Sequence, residues 1–371
     1  MAARLLSVLP LVVALLGATL PSAANATRTL RRTAPAPTPT LAVGPLLVLY
    51  ARGGIGQPGP PAGDGQILAL QRGGVARILA RGLPWPFAGG LAPSPRGRDV
   101  AYGVDITPGP GAPAQTQGLW VVGSTGGTAR HLLLPPPGTT GQPDYRIGPI
   151  AWSPDRYTLA YAVNNTEDYD VNARALGIWL TRYDRPHPRL VATRAGLGIN
   201  AGAAAISQLS WSPDGRTLAV SGERAPQGMT PSAPGDPVVV ELDVATGHTR
   251  VLVADGWYAA FAPTGAALAY VTGGIGTAVT PMALWVADAG GGRRRKVASV
   301  PGTIFSPSWS PDGQTIAYIQ GGRTADGPTA IHLLDAATGR DRVLLTSTSA
   351  SQPLFTPGGR FLRLAWMRAR I

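Results

Sequence analysis

The chain has 371 residues, 44% of them hydrophobic, no cysteine, and a formal net charge of +12. The lack of cysteine excludes a disulfide framework, so stability has to come from an apolar core, which a chain of this length can bury. Of the 32 basic residues only Lys296 is a lysine. The charge is not accompanied by any recognised RNA- or DNA-binding module, so nucleic acid is not an expected partner.

In chain order, the first segment reads as an address rather than a fold. Residues 1–26 carry Arg4, an apolar run from Leu5 to Leu20 broken by Pro10, and Ala24-Asn25-Ala26 as a small-residue cleavage site. That is the pattern of a secretory signal. The run is short for a membrane span, so none is expected after cleavage, and no cysteine follows it to carry a lipid. Residues 27–45, rich in Pro and Thr, read as an extended spacer. The expectation is an exported protein: periplasmic, wall-associated or extracellular.

From Leu46 to Ile371 the signals are those of strands and tight turns. One stretch recurs: Pro95-Arg96-Gly97 into Val100-Ala101-Tyr102, Trp152-Ser153-Pro154-Asp155 into Leu159-Ala160-Tyr161, and Trp211-Ser212-Pro213-Asp214-Gly215 into Leu218-Ala219-Val220. Phe261-Ala262-Pro263 into Leu268-Ala269-Tyr270, Trp309-Ser310-Pro311-Asp312-Gly313 into Ile316-Ala317-Tyr318, and Phe355-Thr356-Pro357-Gly358-Gly359 into Phe361-Leu362-Arg363-Leu364 complete the set. The prolines are spaced by 59, 59, 50, 48 and 46 residues, and a unit of that size signals a propeller or array. Proline sets φ for a type I turn, Asp suits its flanks, and Gly takes the left-handed position that resumes an antiparallel strand. Between these anchors runs a second hairpin, with Asp243-Val244-Ala245-Thr246-Gly247 and Asp335-Ala336-Ala337-Thr338-Gly339 as its clearest turns. Six pairs of hairpins predict an all-β, six-bladed propeller of four-stranded antiparallel blades, with seven blades as the alternative.

The Trp-Ser-Pro-Asp-Gly-x-x-(Leu/Ile)-Ala-(Tyr/Val) stretch resembles the repeat of the TolB-type, WD-like propellers, over nearly all of Leu41–Ile371. The resemblance implies a propeller scaffold and leaves the activity open, because related propellers serve as scaffolds, sensors and enzyme domains. The last repeat runs to Ile371, so the hydrolase domain that accompanies prolyl-oligopeptidase propellers is not expected here. Departures from the pattern are Arg156 at a turn-glycine position and Arg363 at a position read as alanine. Leu46–Tyr50 reads as a second strand and the last copy as first and second strands, so blade 1 is expected to draw on both termini, with one strand surplus.

Topology assigns a functional face. Turns between strands one and two and between three and four share one end of the ring, and here they are short. The long connections lie at the other end, and binding residues concentrate on such loops. The binding candidates are Tyr145, Glu167, Asp168, Tyr169, Asp170, Asn172, Glu223, Trp257 and Tyr258. Asp168, Asp170 and Asn172 have the spacing that opens a calcium loop, but Ala173 stands where glycine is needed and Trp179 where the bidentate Glu belongs. Calcium is therefore the one cofactor with any pattern behind it, and none is otherwise expected. The four histidines do not assemble a nucleophile system, and His332 occupies a slot that Trp120, Trp179 and Trp285 fill elsewhere, which points to packing. The main expectation is a non-catalytic module with a protein or peptide partner. Two alternatives stand beside it: a glycan-active enzyme using loop carboxylates or a metal, and a basic adhesion module for anionic cell-surface polymers. For Arg293-Arg294-Arg295-Lys296, in a hairpin turn, a solvated loop is expected ahead of an anion patch.

Overall fold

The structure, a computed structural model, describes residues 44–51, 65–70, 76–83, 90–104, 118–133, 145–165, 176–199, 206–224, 235–274, 281–321, 328–347 and 360–368. All lie in the second of two compact units, Pro39–Ile371, the first being Met1–Thr38. The expected signal at 1–26 and nearly all of the spacer at 27–45 fall outside the described residues.

Blade 1 begins with β1 (Leu46–Ala51), β2 (Gly65–Leu70) and β3 (Ala76–Leu83). Blade 2 is β4 (Leu91–Pro93), β5 (Asp99–Val104), β6 (Gly118–Gly123) and β7 (Arg130–Leu133). Blade 3 is β8 (Tyr145–Trp152), β9 (Thr158–Asn165), β10 (Gly177–Arg182) and β11 (Arg189–Thr193), followed by one helical turn, α1 (Arg194–Leu197). Blade 4 is β12 (Ile206–Trp211), β13 (Thr217–Arg224), β14 (Asp236–Asp243) and β15 (Thr249–Val253). Blade 5 is β16 (Trp257–Phe261), β17 (Ala267–Thr272), β18 (Met282–Asp288) and β19 (Arg295–Val300), and blade 6 is β20 (Thr303–Trp309), β21 (Thr315–Gly321), β22 (Ala330–Asp335) and β23 (Asp341–Thr346). Finally β24 (Arg360–Trp366) pairs with β1, giving six four-stranded sheets and a six-bladed propeller.

The turns form as their residues dictate. In blade 4 the Asp214 carboxylate accepts from Ser212 Oγ (2.6 Å) and Arg216 N (3.1 Å), and Ser212 Oγ accepts from Thr217 N (2.9 Å). Gly215, at φ 72°, supplies the left-handed residue. Blade 6 repeats the arrangement at Ser310, Asp312 and Gly313. Blade 3 places Arg156 in the glycine position, at φ 76°. An L-residue there costs about 1–2 kcal/mol.

After each turn the second strand presents large groups to one neighbour and a methyl to the other. Leu218, Val220, Ile316 and Tyr318 are fully buried, as are Ala219 and Ala317. Ala160 and Ala162 of blade 3 share a core with Leu218 and Val220 of blade 4, so blades stack face to face. Each fully buried Leu or Ile contributes about 1.5–3 kcal/mol. The tryptophan of the repeat does a second job. Trp211 Nε1 donates to Ala151 O at 3.1 Å and Trp309 Nε1 to Ala260 O at 3.0 Å, each reaching the innermost strand of the preceding blade.

Closure corrects the expected strand count. Neither terminal strand is surplus: β24 is the innermost strand of blade 1 and β1 the second, with Leu46 opposite Trp366 and Val48 opposite Leu364. Phe361–Leu364 is therefore not the strand that follows a turn. It leads up to Trp366, which holds the place of Trp211 and Trp309, and Arg363 does not stand in for a second-strand alanine.

Candidate functional site

The six innermost strands β4, β8, β12, β16, β20 and β24 enclose the bore of the ring. Counting back three residues from the aromatic that ends each strand (Pro93 in blade 2) gives Gly90, Pro149, Gln208, Tyr258, Ser306 and Arg363. Four of these strands slip register across this position, between Ile147 and Ile150, Ile206 and Gln208, Trp257 and Ala260, and Phe305 and Ser308. Such bulges re-aim side chains. Tyr258 (φ 50°) and Ser306 (φ 54°) take left-handed conformations here, at a cost typical of strained functional positions. Gly90 is a steric necessity, since a Cβ there would lie 2.2 Å from Ile150 N. Gln208 reaches along the inner wall from blade 4, its Nε2 donating to Ala259 O of blade 5 (3.1 Å) and Pro307 O of blade 6 (3.4 Å).

From this ring toward the tight-turn end the bore opens into a funnel of about 620 Å³. Its wall carries Ser207, Ser210, Ser308, the edges of Trp152, Trp211, Trp309 and Trp366, and five arginines: Arg96, Arg98, Arg156, Arg363 and Arg368. Among the described residues no aspartate or glutamate lines it. Arg363 is the deep one. Burial pulls its guanidinium below the usual arginine range, and the Tyr258 phenol offsets part of that effect. It stays protonated at neutral pH. On the other side of the ring, burial raises the phenol of Tyr258 and the carboxyl of Glu223, the latter eased by a hydrogen bond from Gly235 N at 3.1 Å. The inner strands are stitched on their free edges by hydroxyls of the preceding blade: Ser210 Oγ accepts from Phe261 N (2.9 Å), Ser221 Oγ from Ala259 N (2.8 Å), and Ser308 Oγ from Trp366 N (3.1 Å). The buried Nε1 atoms of Trp152 and Trp366 have no hydrogen-bond partner.

No protein-family model matches the chain. Over 61 residues it is 38% identical to the Tol-Pal system protein TolB of Albidiferax ferrireducens, a stretch that spans 16% of this chain and 14% of that protein. The crystal structure of TolB from Acinetobacter baumannii superposes with a TM-score of 0.57 at 14% identity, covering 87% of this chain and 66% of that one. A chain of the nidogen/laminin complex superposes with a TM-score of 0.55, also at 14% identity, covering 86% of this chain and 97% of that one. The chain has the β-propeller fold that these structures share.

Of the residues singled out from the sequence, this ring brings together Glu223, Trp257 and Tyr258. Glu223 acts electrostatically on Tyr258 from the end of β13. Trp257 is buried, donates from Nε1 to Gly273 O at 3.1 Å, and belongs to the core between blades 5 and 6. The backbone of Tyr145 opens β8 opposite Asn165. Glu167, Asp168, Tyr169, Asp170 and Asn172 lie outside the described residues. Among the described residues no group of three or more His, Asp or Glu could hold a metal ion.

His332 stacks on Tyr318 with ring centroids 4.8 Å apart and its Nδ1 lies 3.1 Å from Asp341 Oδ2, so it packs where the other blades use tryptophan. The basic cluster at the β18–β19 turn is tied into the scaffold: Arg294 Nη1 meets Asp255 at 3.5 Å, Arg295 donates to Ala336 O, and Lys296 sits 5.9 Å over the Trp285 ring. Sequence reading missed Arg363 and the other funnel arginines as a set. The signal for Arg363 was present, three residues before Trp366, once Trp366 is aligned with Trp211 and Trp309.

Proposed function

We propose that the chain is an exported, non-catalytic propeller module that binds a protein or peptide segment at the mouth of its central channel. The observation that carries this reading is the funnel of about 620 Å³, lined by tryptophan edges on rigid inner strands and by arginines of one inner strand and of the tight turns. That size and that mixture of apolar wall with a few convergent polar groups suit a ligand site. Aromatics and arginine are also the groups enriched where proteins meet. The likeness to TolB, and to a propeller solved in the nidogen/laminin complex, supports the same reading. Export rests on the leader pattern of 1–26, and no helix among the described residues is long and apolar enough to cross a membrane. Glu223 and Tyr258 border the other end of the same bore and extend the contact surface.

The test uses p-benzoylphenylalanine in place of Pro263, on the funnel rim, and separately in place of Val343, exposed on the outermost strand of blade 6. Illumination in the exported fraction is expected to attach a discrete polypeptide to the rim position alone. Equal capture at both positions, or at neither, contradicts the proposal. The arginines favour one second reading, an anionic envelope polymer; in that case the rim position yields a polysaccharide adduct.

A further inference from the structure

The five funnel arginines share one side of the ring. Arg363 and Arg368 belong to blade 1, Arg96 and Arg98 to blade 2, and Arg156 to blade 3. None has a carboxylate partner among the described residues, whereas Arg182, Arg250 and Arg294 elsewhere do. Arg363 is half-buried on the funnel floor with no carboxylate to neutralise it, so its charge is open to an incoming anion. Arg156 makes the same point from the backbone. It holds a left-handed position where Gly97, Gly215, Gly265 and Gly313 stand in the corresponding turns, and so accepts strain that glycine avoids. Its side chain lines the funnel. The site is therefore built for an anion, with four cations at the mouth and one at the floor.

The shape of the funnel selects among anions. Gln208, at the level of Arg363, reaches from blade 4 to backbone carbonyls of blades 5 and 6 and narrows the bore on that side. Arg363 lies three residues from Trp366, about 10 Å along a strand. A narrow chain carrying its charge at its tip reaches that depth. An acidic side chain in the middle of a polymer would need the main chain to double back inside the bore. We infer that the funnel receives the free C-terminus of a partner polypeptide, whose terminal carboxylate pairs with Arg363 while Arg96, Arg98, Arg156 and Arg368 draw the chain in. This rests on the peptide-binding reading above and names the chemistry of its partner.

The probe is an N-terminally fluorescein-labelled pool of degenerate hexapeptides, prepared once with a free C-terminal carboxylate and once amidated, and titrated with the full chain by fluorescence anisotropy. The free-carboxylate pool is expected to bind about ten-fold tighter or more, as for loss of one charge-assisted hydrogen bond. Arg363→Met is expected to erase the difference between the pools, because it removes the cation that pairs with the terminal carboxylate. Arg342→Gln, on the outermost strand of blade 6, serves as the control and leaves the preference intact. Arg156→Gly is expected to weaken binding of the free-carboxylate pool and to sharpen its loss with salt less steeply than the parent. Should Arg363→Met fail to fold, the comparison of the two pools on the unaltered chain still decides. Equal affinity for both pools overturns the carboxylate inference and leaves the peptide-binding reading standing. Binding of neither pool, with oligogalacturonate bound instead, overturns both.

Discussion

The two flanks of β24 share apolar packing and differ in polar ties. Toward blade 6 Phe361, Leu364 and Trp366 pack among Ile319, Ile331 and Leu333, and hydroxyls hold the strand as well: Thr329 Oγ1 accepts from Phe361 N (2.8 Å), Ser306 Oγ from Leu364 N (2.9 Å) and Ser308 Oγ from Trp366 N (3.1 Å). Toward blade 2 Ala365 and Met367 pack among Leu47, Leu91, Val100 and Tyr102. Hydrogen bonds are directional and fix where a strand sits; apolar burial is non-directional and supplies most of the free energy. The closing strand thus takes its position from blade 6 and its stability from apolar burial on both sides. Arg363 lies between them, facing neither seam and free to serve the bore.

Cutting the chain after Gly359 should have the largest effect, because it removes the innermost strand of blade 1 and opens the ring. The expected result is loss of a cooperative thermal transition by circular dichroism; a transition unchanged in midpoint would mean that β24 is dispensable. Next in size is Met367→Ala on the blade 2 flank, expected to cost about 2–4 kcal/mol in urea unfolding through the cavity it leaves. Ser308→Ala on the hydrogen-bonded blade 6 flank is expected to cost less, about 1–3 kcal/mol, the penalty for stranding the Trp366 N–H. The reverse order of these two would contradict apolar burial as the larger source of the strand's stability.

The smallest effect is general to the turns. Hydrogen bonds from Ser212 and from the Arg216 backbone hold the Asp214 carboxyl below the usual range, and those from Thr246 and Thr338 do the same for Asp243 and Asp335. A carboxyl lowered in the folded state stabilises above its unfolded pKa of about 3.9 and loses that contribution as pH falls through the folded value. The urea midpoint should therefore respond little to these groups between pH 7 and 5 and fall below about pH 4.

Blades 2 to 6 were legible because each carries its turn chemistry locally: Ser212, Asp214 and Gly215 lie within a few residues of the strands they join. The closing blade was not, because β24 finds its partner β1 at the far end of the chain, and no local pattern couples them. Phe355-Thr356-Pro357-Gly358-Gly359 imitates the repeat, and it drew Arg363 into the wrong strand. The bore was illegible for the same reason, since its ring takes one residue from each blade. The strain at Tyr258, Ser306 and Arg156 left no trace in residue type, apart from an arginine where glycine was due.

The central claim is that the bore itself holds the ligand. A crystal structure of the chain with the tightest-binding peptide of the free-carboxylate pool tests it most directly. The account predicts an extended peptide in the funnel, its terminal carboxylate within hydrogen-bonding distance of Arg363. A peptide lying on the outer strands of the blades, with the funnel holding only water, would contradict it.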